Sequence, residues 1–163
     1  MELFDLSGRV AIITGSTKGI GKAIAARMCQ HGAKVVISSR KADACEAVTV
    51  EINRDFAANG GEAISIPAHV GVEDELRNLV DKTLDKWGKI TTLVPNAAAN
   101  PYYGPSAEMP DSAFEKIWEV NVKSVFKLCH MVLPGMAEMG SGSITIIASN
   151  SGLKGSVELC GYA

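Results

Sequence analysis

The stretch VAIITGSTKGIG (residues 10–21) decides the fold: a short apolar run suited to a strand passes without a break into a turn carrying Gly15, Gly19 and Gly21, and the turn opens directly onto a helical pattern. Glycines at such a junction let the backbone turn tightly and come close to a pyrophosphate, whose charge then sits among the unpaired N–H groups of a helix N-terminus. Outward from this stretch, short apolar runs alternate with longer amphipathic ones. They are VAIIT (10–14), then 19–31; KVVIS (34–38), then 42–58; AISIP (63–67), then 73–87; TTLV (91–94), then 111–139; and SITIIA (143–148). Strands alternating with helices read as successive βαβ units in a parallel sheet. The strand segments are apolar on consecutive residues, as strands covered by helices on both faces require. The expected architecture is a doubly wound α/β sheet, a Rossmann fold, with five strands.

Helical periodicity predicts a buried stripe of Leu76, Leu79, Val80, Thr83, Leu84 and Trp87 in the 73–87 segment. In the 111–139 segment it predicts one face carrying Phe114, Ile117, Trp118, Val125, Leu128 and Val132, with Asn121 the polar residue among them. Residues 95–110, with Pro95, Pro101, Pro105 and Pro110, read as the main loop. A length of 163 residues, 47% of them apolar and 21% charged, suits one globular domain over 1–163. The formal net charge of −2 leaves no basic surface for nucleic acid. No apolar run approaches the roughly 20 residues that span a bilayer, and the acids in MELFDLSGRV argue against a signal peptide, so a cytoplasmic location is expected. Cys29, Cys45, Cys129 and Cys160 form no CxxC pair and no cluster with His31, His69 or His130, which gives a bound metal no case.

The run Thr14-Gly15-Ser16-Thr17-Lys18-Gly19-Ile20-Gly21 resembles the TGxxxGxG fingerprint of the short-chain dehydrogenase/reductase family. By that resemblance residues 15–21 hold the pyrophosphate of a nicotinamide dinucleotide. The second strand ends in Ser38-Ser39-Arg40-Lys41, with no acid to bind a ribose 2′-hydroxyl. Arg40 suits a 2′-phosphate instead, through a planar fork of charge-assisted hydrogen bonds, and Lys18 matches the second base of NADP-preferring members. NADP(H) is the expected cofactor. His69-Val70 stands where many members place an aspartate against adenine, so an adenine contact and plain loop packing are both open for His69. Asn96-Ala97-Ala98 resembles the family's NNAG motif, which stabilises the central sheet and leaves room for the cofactor.

Asn121, in NVKS, is the odd polar residue on its face, where a buried amide without partners would cost about 1–3 kcal/mol, and is similar to the family's catalytic helix asparagine, whose backbone carbonyl by that resemblance holds a water in the proton relay. Ser149 follows the fifth strand and Tyr162 stands thirteen residues later, the family's serine-to-tyrosine spacing. The resemblance makes Ser149 the group that orients a carbonyl and Tyr162 the group that protonates it as hydride arrives. Ser151 and Ser156 are less well placed. The lysine of YxxxK would fall at position 166, beyond Ala163. Together with the apolar run 143–148, which has no later strand to pair with, this reads as a C-terminal truncation whose own activity is weak and favours reduction. The combination SSRK, AHVG and PNAAANPYYG is similar to the NADPH-dependent carbonyl and retinal reductases of the family. That implies a small-molecule carbonyl or alcohol substrate and a homo-oligomer. A 3-oxoacyl carrier-protein reductase and a catalytically weak NADP-binding module are the alternatives.

Overall fold

The computed structural model describes residues 4–155 and 157–163; Ser156 and the first three residues lie outside them. Strand β1 (Val10–Thr14) leads through the glycine turn into helix α1 (Gly19–Gln30). Then follow β2 (Lys34–Ser38), α2 (Ala42–Phe56), β3 (Glu62–Ser65), α3 (Glu73–Trp87) and β4 (Thr92–Val94). A long helical segment is divided into α4 (Asp111–Trp118), a π turn (Glu119–Lys123) and α5 (Ser124–Glu138), and β5 (Ser143–Ile144) comes last. All strand pairs are parallel, in the order β3-β2-β1-β4-β5. The chain walks outward from β1 to β3, then crosses to the far side of β1. The tips of β1 and β4 therefore flank the point where strand order reverses, the place where open α/β sheets bind ligands.

Alternate residues of a strand point to opposite faces, and here both faces are core. Ile12, Val36 and Leu93 point to one side, against Leu76 and Leu79 of α3 and Leu128 and Val132 of α5. Ala11, Ile13, Val35, Ile37 and Val94 point to the other, against Ala25 and Cys29 of α1 and Val48 and Ile52 of α2. That is why the strand segments are apolar at every position: Val10 through Ile13 are at most 1% exposed. Helix α3 begins on Glu73, Asp74 and Glu75, which complement the positive end of its dipole. It ends at Gly88, whose φ of +71° allows its N–H to close on the Leu84 carbonyl.

Three expectations are corrected. Phe114 and Trp118 are 54% and 53% exposed, while Ile117, Leu128 and Val132 of the expected face are buried in one line with Ala113, Val120, Ser124 and Met136. Leu84 turns outward at the edge of the α3 stripe, while Leu76, Leu79, Val80 and Thr83 are buried as expected. The run 143–148, expected as a strand, has two residues in β5, and it lies at the sheet edge as its lack of a later pairing strand implied; its ladder continues through Thr145 N–H to the Leu93 carbonyl (2.9 Å) and Ile147 N–H to the Pro95 carbonyl (3.0 Å), and Ile146 is exposed. No described helix is long and apolar enough to cross a membrane.

The start of β3 is tied to the end of α3 by Glu62, which accepts from Lys86 Nζ (3.0 Å) and from Trp87 Nε1 (3.1 Å). Partial burial alone would raise the Glu62 carboxyl, but the Lys86 and Trp87 hydrogen bonds, with the charges of Lys86 and Lys34, outweigh it and hold the group below its ordinary value. A carboxyl lowered in the folded state stabilises above its unfolded value, about 4.3, and that contribution is lost as the pH falls through the folded value. In thermal melts, Glu62→Gln should therefore be less stable than the parent at pH 7, and the two should converge as the pH falls through the folded value of Glu62. A difference unchanged from pH 7 to pH 3 would show that the ion pair is not its source.

Candidate active site

The site is built on the tips of β1 and β4. Thr14, only 2% exposed, accepts two hydrogen bonds on its hydroxyl, from the N–H groups of Asn96 and Ala97, each at 3.0 Å. Asn96 answers with its Nδ2, which donates to the carbonyls of Thr14 (2.9 Å) and Gly15 (3.2 Å). This reciprocal clamp holds the segment 96–98 against the glycine turn. Gly15 needs to be glycine twice over: its φ is +67°, and a Cβ there would meet the Ala97 Cα at 3.0 Å. A Cβ on Gly21 would meet Asn96 Nδ2 at 2.5 Å. The glycine spacing thus lets the turn, α1 and Asn96 approach one another closely.

Over this junction lies a cavity of about 860 Å³. The sequence-derived nucleotide residues Gly15, Thr17, Lys18, Gly19 and Ile20 line it from the turn, Ser39, Arg40 and Lys41 from the end of β2, His69 and Val70 from beyond β3, and Asn96, Ala97 and Ala98 from beyond β4. Two of the expected residues do not face it. Ser16 is fully buried, its hydroxyl donating to the Ile13 carbonyl (2.7 Å) and accepting from the Ser38 N–H (2.9 Å), so it braces the turn from below. Gly21 is buried beneath the turn against Asn96 and Gly15. Helix α1 starts after Lys18 without a side-chain cap and with no acid in its first turn. Its N-terminal donors and the cations Lys18, Arg40 and Lys41 all border one space, an arrangement suited to an anionic ligand.

A smaller cavity of about 210 Å³ adjoins the first across Ala97 and Ala98, which line both. Asn121, Ser149 and Tyr162 all line it. Asn121 lies within the π turn, and its amide pairs with one backbone unit, accepting from the Ala99 N–H (2.8 Å) and donating to the Ala99 carbonyl (2.9 Å). Ser149 precedes a short 3₁₀ turn, Asn150–Gly152, where its Oγ accepts from the Ser151 N–H (3.1 Å) and keeps its own proton available. The sequence reading passed over Thr14, whose signal was its place inside the fingerprint, and Lys116, which lines the larger cavity from α4. Lys116 donates to Glu119 Oε2 at 3.0 Å, and that bond with the Lys116 charge holds the Glu119 carboxyl below its ordinary value.

The family model described as short chain dehydrogenase matches residues 9–163, and the chain belongs to that family. It is 40% identical over 156 residues to a protein of Caenorhabditis elegans named dehydrogenase/reductase SDR family member 4, covering 95% of this chain and 58% of that one. Among solved structures it is similar to a 7α-hydroxysteroid dehydrogenase complexed with NADH and 7-oxo glycochenodeoxycholic acid. There the TM-score is 0.88 and the identity 35%, covering 98% of this chain and 60% of that one. It is also similar to an alcohol dehydrogenase of the archaeon Thermococcus sibiricus complexed with 5-hydroxy-NADP. There the TM-score is 0.87 and the identity 25%, covering 94% of this chain and 63% of that one. The chain spans about half the length of the curated relatives it matches, 58% in the nematode case.

Because the Thr14 hydroxyl serves two buried N–H groups, Thr14→Val should cost about 1–3 kcal/mol in urea unfolding, while Thr14→Ser should restore most of it. Equal stability of the valine and serine variants would show that the clamp is not held by the hydroxyl.

Proposed function

We propose that this chain carries the cofactor site and the catalytic groups of an NADP(H)-dependent oxidoreductase that moves hydride between the nicotinamide and a carbonyl or alcohol. The observation that carries the reading is the pair of adjoining cavities: a large one bordered by Lys18, Arg40 and Lys41, and a small one gathering Asn121, Ser149 and Tyr162. A dinucleotide fits this arrangement. The uncapped start of α1 would take the pyrophosphate, and Lys18 with Arg40 would take a 2′-phosphate. Among the described residues no carboxylate lines the large cavity to repel that phosphate. The similar structures include both an NADH and a 5-hydroxy-NADP complex, so the preference for NADP(H) rests on Lys18 and Arg40 alone.

When bound, the cofactor supplies the hydride donor or acceptor. The chain's own groups supply the rest. Ser149, with its Oγ already accepting from Ser151, donates to a carbonyl oxygen and polarises it. Tyr162 gives that oxygen a proton from its hydroxyl during reduction and takes it back during oxidation. Asn121 is a positioning residue: by pairing with Ala99 it holds the far end of the wall that both cavities share. The substrate class proposed is a ketone or aldehyde, and comparing an aromatic diketone with an acetoacetyl thioester separates this reading from a 3-oxoacyl reductase. A cytoplasmic location and self-association belong to the same proposal, the latter supported by Phe114, Trp118, Val122 and Phe126, which stand exposed along one line of α4, the π turn and α5.

In calorimetric titration NADPH should bind more tightly than NADH, and Arg40→Asp should reverse the order, each by about tenfold or more. Equal affinities in the unaltered protein would sink the NADP assignment. Tyr162→Phe should lower NADPH-dependent carbonyl reduction by about a hundredfold or more while leaving NADPH affinity within about twofold. Retained turnover would remove Tyr162 from the proton-donating role.

A further inference from the structure

The turn between β2 and α2 brings Ser39, Arg40 and Lys41 to the border of the large cavity, and Ala44 borders it from the start of α2. Arg40 has no ion-pair partner among the described residues, so the aim of its guanidinium depends on the backbone of this turn. Ser39 stands one residue past β2, beyond the last paired position, Ser38 against Thr14. Its carbonyl accepts from the Ala68 N–H at 3.0 Å. Its N–H donates to a side chain, the Cys45 Sγ, at 3.2 Å. The same sulfur lies 3.3 Å from the Ser39 hydroxyl and 3.6 Å from the Ser39 carbonyl, which receives the thiol proton. Two more bonds close the loop: the Lys41 N–H donates to Ser39 Oγ (3.4 Å), and the Cys45 N–H to the Lys41 carbonyl (3.1 Å). The turn 39–41 is thus wrapped around one sulfur atom, with Arg40 at its apex.

Cys45 itself is fully buried beside Ile37 and Val48 and does not line the cavity. Packing asks only for a small apolar side chain there, which valine or alanine would supply. Neither offers Ser39 an acceptor. A buried N–H left without a partner is costly, so the turn would have to shift to find another. We propose that Cys45 is a positioning residue for the 2′-phosphate clamp: its sulfur fixes the turn that presents Arg40, and it strengthens the preference for NADP(H) over NAD(H) without touching the cofactor. The proposal rests on the reading that Lys18 and Arg40 take the 2′-phosphate. NADH brings no charge to Arg40, so its binding does not depend on where that guanidinium stands.

Calorimetric titration with NADPH and NADH tests the proposal as a ratio of affinities. Cys45→Val, which keeps an apolar side chain of similar size and removes the acceptor, should lower NADPH affinity about fivefold and leave NADH affinity within about twofold. Cys45→Ser, which keeps both an acceptor and a donor, should hold the ratio within about twofold of the parent. In an Arg40→Ala background, Cys45→Val should change neither affinity by more than about twofold, because the group being positioned is gone. An unchanged ratio in folded Cys45→Val overturns the proposal, as does an equal loss for both cofactors, the mark of a purely structural role. A serine variant whose ratio falls as far as that of the valine variant overturns it too. If Cys45→Val does not fold, Cys45→Ala carries the same expectations. If the unaltered protein binds NADPH no more tightly than NADH, the NADP(H) reading falls and takes this proposal with it, a result distinct from a preference that survives in Cys45→Val.

Discussion

The site depends on the exchange of hydrogen bonds between Thr14 and Asn96. Parallel strands meet only through their ladders, and at their tips those ladders stop. At the tips of β1 and β4 the backbone would splay, and the donors of 96 and 97 would be left without partners away from water. One hydroxyl accepting two N–H groups, answered by one amide donating to two carbonyls, extends the pairing past the last ladder bond. Everything functional hangs from that extension. The glycine turn sits on one side of it, the wall formed by Ala97 and Ala98 on the other, and the two cavities are the spaces left along the wall.

Around this junction the local choices agree with one another. Glycine stands where a Cβ would strike Asn96 or Ala97, and alanine stands where the wall must stay thin. The charges agree as well. Helix α3, which needs nothing at its start, begins on three acids, whereas α1, whose start opens on the cavity, follows a lysine and has none. Lys18 at the positive end of a helix dipole is locally unfavourable. An anion sharing the space would offset that cost.

Much of this was legible in the sequence because it is written in short-range patterns. The elements followed from periodicity, and the cavity lining from the glycine turn and from residues just past each strand, since doubly wound sheets collect those ends at one edge. What escaped was of two kinds. Partnerships at long range leave no local trace: nothing near Asn121 announces Ala99, and nothing near Ser16 announces that Ser38 and Ile13 occupy its hydroxyl in place of a phosphate. The second kind was a choice between neighbouring positions. Helical spacing from Leu128 and Val132 admits both Ile117 and Trp118; Ile117 is buried as expected, whereas Trp118 and Phe114, large and apolar enough to pass for core, are exposed and the small Ala113 is buried.

The wide turn at Glu119–Lys123 works as a phase shifter between two rigid rods. Each residue of a regular helix advances about 100° around its axis, so the additional one rotates α4 relative to α5 by roughly that angle and no smaller step is on offer. The burial of Ala113 and Ile117 before the turn and of Leu128 and Val132 after it, and the pairing of Asn121 with Ala99 between them, are met at one setting of this vernier. Length in this region is consequently quantised. A single residue gained or lost there would turn one rod's buried face toward its neighbour's flank.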